Sequence, residues 1–351
     1  MPEIPVGLVG FGLAGRCFHA PVIRAVPGLR LKTIVQRHGD SARETFPEVS
    51  IARDVDALVA DEEIRLVVIA TPNASHYELA RRCLLAGRDV IVDKPFTVTS
   101  AEARDLIKLA AARGRLLSVY HSRRFDGDFL TVRQLIAKGA LGRVVRCESR
   151  YDRYRPTLRP GTWRESNEPA SGVLFDLGPH LIDQALVLFG TPAAVTADIR
   201  VERRGAAADD AFDIALHYPG LRVQLSATML ACDSGPRFLL YGTEGTYIKY
   251  GMDPQEAPLR AGRSPGGPGW GQEDEPQWGR LTTAGGVSRP VPTEPGDYRL
   301  FYANVRDAMN GEAELAVTGE QAARVIRVIE LARASNALTR TLDWPADNLP
   351  A

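Results

Sequence analysis

The stretch Pro5-Val-Gly-Leu-Val-Gly10-Phe-Gly-Leu-Ala-Gly15 decides the fold. Pro5–Val9 is a short apolar run that reads as a strand, and Ala14–Val26 carries the pattern of a helix. Between them, Gly10, Phe11, Gly12, Leu13, Ala14 and Gly15 spell GxGxxG. In a strand–turn–helix setting that spacing has a mechanical meaning. Gly10 allows a tight turn, Gly12 lets a pyrophosphate approach the backbone, and Gly15 lets the helix pack closely on the strand. The first N–H groups of the helix then face the anion. The competing reading is a glycine turn that holds nothing.

Working outward, the same alternation continues. Leu31–Gln36, Arg65–Ala70, Asp89–Val92 and Leu116–Tyr120 read as strands. Ser75–Ala86 and Ser100–Arg113 read as helices, with Ser100 the expected N-cap and Glu102 and Asp105 near the positive end of the helix dipole. Repeated strand–helix alternation predicts a parallel sheet covered by helices, wound by right-handed crossovers. The expectation is an α/β, doubly wound Rossmann domain over residues 1–124.

After Arg124 the pattern changes. A helix is expected at Asp126–Lys138, and then strand-like runs dominate: Val144–Tyr151, Ala194–Glu202, Phe212–Tyr218, Arg222–Met229, Arg237–Tyr241 and Thr246–Tyr250. Tyr218-Pro-Gly-Leu221 and Gly242-Thr-Glu-Gly245 read as turns. Residues 125–351 are therefore expected to form an α+β domain with an open, mostly antiparallel sheet. One helix near Pro179–Phe189 is inserted, and another closes the chain at Thr318–Ala337, either within this domain or packed back on the first. The Gly- and Pro-rich residues 253–298 read as an irregular excursion or lid.

Bulk properties narrow the function classes. The chain has 351 residues, suited to two domains, with 44% hydrophobic and 25% charged residues. Lys plus Arg and Asp plus Glu number 43 each, so no net charge points to nucleic acid or an acidic membrane. Cys17, Cys83, Cys147 and Cys232 are scattered, without a CxxC pair, and read as free thiols. The six histidines do not cluster at ligand spacing, so no metal is expected. Without a signal-like start or a membrane-length apolar run, a soluble cytoplasmic protein is expected.

The ends of the first-domain strands are where ligands bind in open α/β sheets. After the second strand, Gln36-Arg37-His38 stands where an NAD site would place an acid. Arg37 suits a 2′-phosphate, which favours NADP over NAD; a plain solvated arginine is the alternative. Thr71, Pro72 and Asn73 suit the ribose or nicotinamide, and His76 is either structural or a cofactor contact. Asp93-Lys94-Pro95 follows the next strand. There Lys94 and Pro95 would border the nicotinamide, and the ammonium would hydrogen-bond a reacting oxygen, unless it forms only a surface ion pair.

In the second half, Gly172-Val-Leu-Phe-Asp176-Leu-Gly-Pro-His180-Leu-Ile-Asp183 places a histidine in the first turn of a helix that begins at Pro179. His180 is a candidate proton acceptor, and Asp176 a carboxylate to orient it or to bind hydroxyls. Arg124, Tyr154 and Trp163 suit a polyol, by hydrogen bonding and by offering a flat face to ring carbons. Surface pairing and packing explain these three equally well.

Together GFGLAG, the Thr71-Pro-Asn73 loop, Asp93-Lys-Pro95 and the Gly172–Asp183 segment make the chain resemble the glucose–fructose oxidoreductase/inositol dehydrogenase/rhizopine catabolism (Gfo/Idh/MocA) family over nearly its whole length. Phe18-His-Ala-Pro21, Ser118-Val-Tyr-His121 and Tyr154-Arg-Pro156 are similar to its NADP-dependent scyllo-inositol dehydrogenases. The resemblance implies a Rossmann domain, an open-sheet domain and a homodimer or homotetramer. It implies that Lys94 is the active-site lysine, Asp176 binds substrate and His180 accepts the proton. The expected reaction interconverts a secondary alcohol of scyllo-inositol and its ketone with NADP(H). Other outcomes are an aldose or ketosugar substrate, glycoside cleavage with bound NAD, and a non-catalytic NADP-binding regulator. The usual Glu-Lys-Pro is Asp93-Lys-Pro here, one methylene shorter.

Overall fold

A computed structural model describes residues 3–159 and 161–345. The described chain divides into two compact units. The first comprises residues up to 125 with 255–270 and 297–323; the second comprises 126–254 with 271–296 and the residues from 324 onward.

The first unit holds a parallel sheet of β1 (Ile4–Val9), β2 (Leu29–Val35), β3 (Ser50–Ala52), β4 (Leu66–Ile69), β5 (Asp89–Val92) and β6 (Leu117–Val119). The spatial order is β3-β2-β1-β4-β5-β6, the doubly wound arrangement expected from the alternation. Its central strands are buried on both faces, so Leu66–Ile69 is wholly apolar. The order reverses between β1 and β4, which puts the glycine loop after β1 beside the Thr71 loop after β4. The short strand β3 escapes pattern reading because three residues show no usable period.

Three local details differ from expectation. The helix Ser100–Arg113 is capped by Thr99, whose side chain accepts from Glu102 N–H while Glu102 reaches back to the Thr99 N–H. Ser100 is the first helical residue instead, because this reciprocal box satisfies two orphan donors at once. The first helix does not start as a regular α-helix: Gly15–His19 forms a π-turn before Ala20–Arg24 continues as α-helix. A helix at Arg299–Met309, which the sequence reading left unassigned, belongs to the first unit.

The second unit holds β7 (Val144–Arg150), β8 (Ala194–Arg200), β9 (Ala211–Tyr218), β10 (Leu221–Thr228), β11 (Phe238–Gly242), β12 (Gly245–Lys249), β13 (Gly279–Thr283), β14 (Ser288–Val291) and β15 (Leu342–Asp343). Their order is β14-β13-β12-β11-β7-β10-β9-β8-β15, antiparallel except for β10 beside β7. Both expected hairpin turns close, pairing Leu221 with Tyr218 and Thr246 with Tyr241. Strand residues alternate, with Phe212, Ile214 and Leu216 buried and Asp213, Ala215 and His217 partly exposed. One face is thus the core.

The segment 253–298 is not an irregular excursion. Glu256–Arg260 is helical within the first unit, whereas β13 and β14 extend the second sheet. Glycine and proline mark its turns and hide two short strands that gain stability only by pairing, β13 with β12 and β14 with β13. The last helix, Gly319–Leu338, is shared. Gly319 packs near Ile107 in the first unit, while Ser335 Oγ and Asn336 Oδ1 accept from Ala197 and Ile199 N–H in the second.

Candidate active site

Each unit carries its own set of polar groups. In the first, the glycine loop has the geometry its spacing suggested. Gly10 has φ +100°, and a Cβ there would lie 2.6 Å from Ala70 O. A Cβ on Gly15 would lie 2.1 Å from Gly10 O, so the helix can approach only as glycine. At Gly12 a Cβ would meet nothing within 4 Å, leaving open space at the turn. That combination fits a dinucleotide phosphate: bare backbone at a helix start, with room in front of it. Phe11 turns aside onto Phe46 with ring centroids 6.0 Å apart, Leu13 is exposed, and Ala14 is partly buried.

At the end of β2, Gln36 is turned into its own loop. Its Nε2 donates to His38 O at 2.8 Å and Ser41 Oγ at 3.0 Å, while Oε1 accepts from Ala42 N–H at 3.0 Å. Arg37 is exposed. Arg53, unnoticed in the sequence, braces this loop by donating from Nη1 to Gly39 O at 2.7 Å and Gln36 O at 3.1 Å.

In the Thr71 loop, the Thr71 and Ser75 hydroxyls lie 2.7 Å apart, Pro72 is exposed, and Asn73 is buried. His76 is wholly buried, with Nδ1 2.8 Å from Pro95 O and Nε2 2.9 Å from Thr71 O. It stands between the Thr71 loop and the Lys94–Pro95 loop, within reach of a carbonyl on each. Burial lowers its pKa, against the pull of Asp93 and the two carbonyls. Lys94 is partly exposed and Pro95 is buried; the bond between them is cis. Asp93 Oδ1 accepts the Lys94 N–H at 2.8 Å. Burial would raise the Asp93 carboxyl, but His19, Lys94 and His76 together hold it below the ordinary carboxylate value.

Arg124 is buried, and its Nη1 donates to Ala316 O and Gln321 Oε1, each at 2.7 Å. Neighbouring Arg123 pairs with Glu256 at 2.7 Å. Burial raises the Glu256 carboxyl, yet Arg123 and Arg260 pull it down to about 2. A carboxyl so depressed from 4.5 stabilises the fold above that pH and loses its contribution as the pH falls toward 2. Glu256→Gln should therefore be less stable than the parent by ~2 kcal/mol at neutral pH, with the gap closing as the pH falls from 4.5 to about 2. Thermal melts against pH check this; a gap that widens in acid would contradict the assignment.

In the second unit, Asp176 ends the short helix Val173–Asp176, with its Oδ1 3.4 Å from Arg164 Nε. It lines a cleft with Arg155, Arg159, Arg164, Glu165 and Arg203. Arg203 is itself held by Asp210 at 2.9 Å. Trp163 lies in the 3-10 turn Trp163–Glu165, its ring under the Arg164 guanidinium at 4.5 Å, whereas Tyr154 is 57% exposed. The next helix, Gly178–Phe189, has Pro at its start, and His180 in its first turn is 8% exposed. The His180 ring stands edge-on to Tyr151, centroids 6.2 Å apart. Behind it, Arg237 donates to Tyr151 Oη at 2.8 Å and to Gln184 Oε1 on the same helix. The sequence offered no signal for Arg237, since its polar partners Asp128, Ser149, Tyr151 and Gln184 lie on three separate segments.

Among the described residues there is no cluster of His, Cys, Asp and Glu able to hold a metal ion. No described helix is long and apolar enough to cross a membrane. The described cysteines form no disulfide.

Comparison with known proteins matches residues 4–121 to the Gfo/Idh/MocA oxidoreductase family's NAD-binding Rossmann fold and residues 133–343 to its C-terminal alpha/beta domain. The uncharacterized oxidoreductase YdgJ of Escherichia coli is 44% identical over 94% of this chain and 95% of its own length. The scyllo-inositol 2-dehydrogenase (NADP(+)) IolW of Bacillus subtilis is 38% identical over 97% of this chain and 95% of its own. Among solved structures, the oxidoreductase yvaA from Bacillus subtilis superposes with a TM-score of 0.93 at 36% identity, covering 98% of this chain and 99% of that one.

Proposed function

The chain belongs to the Gfo/Idh/MocA oxidoreductase family, with an NAD(P)-binding Rossmann fold, and from that premise we propose that it is an NADP(H)-dependent dehydrogenase of a cyclic polyol, scyllo-inositol first. The observation that carries the cofactor choice is the corner after β2. Gln36 stands where an acid would repel a 2′-phosphate, its amide is spent on its own loop, and Arg37 is left exposed. The substrate follows IolW, similar along nearly the whole chain.

A nicotinamide dinucleotide held along the glycine loop would supply the hydride-transfer chemistry in either direction. The residues do the rest. Gly10, Gly12 and the helix start receive the pyrophosphate, with Thr71, Pro72 and Asn73 along the ribose. Lys94 donates a hydrogen bond to the reacting oxygen as it gains alkoxide character. His180 takes the hydroxyl proton and gives it back on reduction. Asp176 accepts hydrogen bonds from neighbouring hydroxyls, and Tyr154 and Trp163 border the ring. Arg124, with Nη1 engaged by Ala316 and Gln321, supports the site from its own unit. A homodimer or homotetramer in the cytoplasm completes the proposal.

Initial rates at the reduced-nicotinamide band, with scyllo-inositol, myo-inositol, glucose and xylose and with NADP+ or NAD+, test it. Strong activity with scyllo-inositol and NADP+ is expected; activity only with a sugar, or only with NAD+, would overturn the substrate or cofactor choice. Arg37→Ala should raise the KM for NADP+ about tenfold or more while leaving that for NAD+ nearly unchanged, as expected on losing a charge-assisted phosphate contact. A sugar bearing a carboxylate is a second reading, favoured by Arg155, Arg159, Arg164 and Arg203 around the Asp176 cleft. Glucuronate in the same assay decides it.

A further inference from the structure

The loop that carries Lys94 is held from behind by groups that the roles above do not use. His19 lies in the π-turn that follows the glycine loop and is wholly buried. Its Nδ1 is 2.6 Å from Tyr302 Oη, and its Nε2 is 3.6 Å from Asp93 Oδ1. Its ring leans on Tyr120, centroids 4.3 Å apart. The same Asp93 oxygen accepts the Lys94 N–H. All of these residues belong to the first unit.

Burial raises the Tyr302 phenol well above its usual range, so it stays protonated. The Tyr302 hydroxyl lies within hydrogen-bond distance of Nδ1, and Nε2 faces the Asp93 carboxylate. The groups around this chain are Tyr302 and Tyr120 against His19, and Lys94 and His76 against Asp93. A buried imidazole that served packing alone would carry a desolvation cost that an apolar side chain avoids. Placed as it is, it faces the carboxylate oxygen that accepts the Lys94 N–H.

We infer that His19 is a positioning residue for Lys94, acting through Asp93 and oriented in turn by Tyr302. The side chains come from the first helix, the end of β5 and the helix Arg299–Met309, so the chain locks the glycine-loop helix to the lysine loop. The shortening of the usual Glu to Asp fits this geometry, since Asp93 already spans from the Lys94 N–H toward Nε2. This inference rests on the role proposed for Lys94.

The test uses the full chain with NADPH and two variants, His19→Gln and Tyr302→Phe. His19→Gln should lower kcat about 10- to 100-fold, with NADPH affinity held within about threefold and KM for substrate little changed, the size expected when a group that orients a reactive residue is lost. Tyr302→Phe should act in the same direction but less, and the double variant should be no worse than His19→Gln. A second readout needs no turnover: the 13C-dimethyl resonance of Lys94, assigned through Lys94→Arg, should move in both single variants. That resonance separates this inference from the substrate proposal, because it answers even if no polyol is oxidised. Folded His19→Gln with parental kcat and an unmoved resonance overturns the inference. An NADPH affinity that falls as far as kcat also overturns it, since His19 would then serve the glycine loop. If His19→Gln does not fold, Tyr302→Phe decides, and an unmoved resonance there counts against it.

Discussion

His180→Ala should lower turnover by ~10²- to 10⁴-fold while NADPH still binds, the range supplied by a positioned acid–base group. The ring that would accept the proton stands in the first turn of Gly178–Phe189, largely buried and edge-on to Tyr151. A buried imidazole exchanges few alternative partners with water, so no neighbouring solvent group substitutes easily for it. Fluorescence titration with NADPH and stopped-flow reduction of the ketone separate binding from chemistry. Because the loss falls on proton transfer, kcat and kcat/KM should decline together. Near-parental turnover in a folded His180→Ala protein would remove His180 from the mechanism and leave Lys94 or solvent as the proton carrier.

Arg237→Met should destabilise the protein by ~3–5 kcal/mol, the cost of leaving a buried carboxylate without its partner. The Arg237 side chain is 2% exposed and lies 3.4 Å from Asp128, itself 1% exposed. The guanidinium also bonds Ser149, Tyr151 and Gln184, and it stacks on Tyr151 and Phe238 at 4.0 and 4.1 Å. Methionine fills much of the volume but pairs with nothing. A second change, Asp128→Asn, removes the stranded charge and should recover part of the loss. Urea unfolding of the parent, the two single variants and the double variant measures this. A cost below ~1 kcal/mol would show that water or another cation already satisfies Asp128. Activity should fall with stability in Arg237→Met, because Gln184 and Tyr151 flank His180 on its own helix and on the facing strand end.

Much of the first unit was legible because its signals are local. A glycine that must adopt φ +100°, or that must let a helix reach another backbone, is specified within a few residues. Wholly apolar strands separated by helices fix a parallel sheet in the same way. Lys94, Asp176 and His180 stood out because each lies where a strand or helix begins or ends. Short strands such as Ser50–Ala52, and those hidden in 253–298, were not legible, because their stability comes from the neighbouring strand and not from their own pattern.

The sequence by itself determined the glycine turn, the strand–helix alternation at the core of the first unit, the two tight hairpins and the residue types available for proton transfer, since steric limits and hydrophobic periods act over neighbouring residues. Only the tertiary structure decided that His19 meets Tyr302, 283 positions away, that Arg124 is engaged by Gln321, and that Arg237 answers Asp128. Those pairings depend on which buried polar groups the completed sheets bring within hydrogen-bond reach, and the need to satisfy each one in a dry interior leaves no trace in the local pattern.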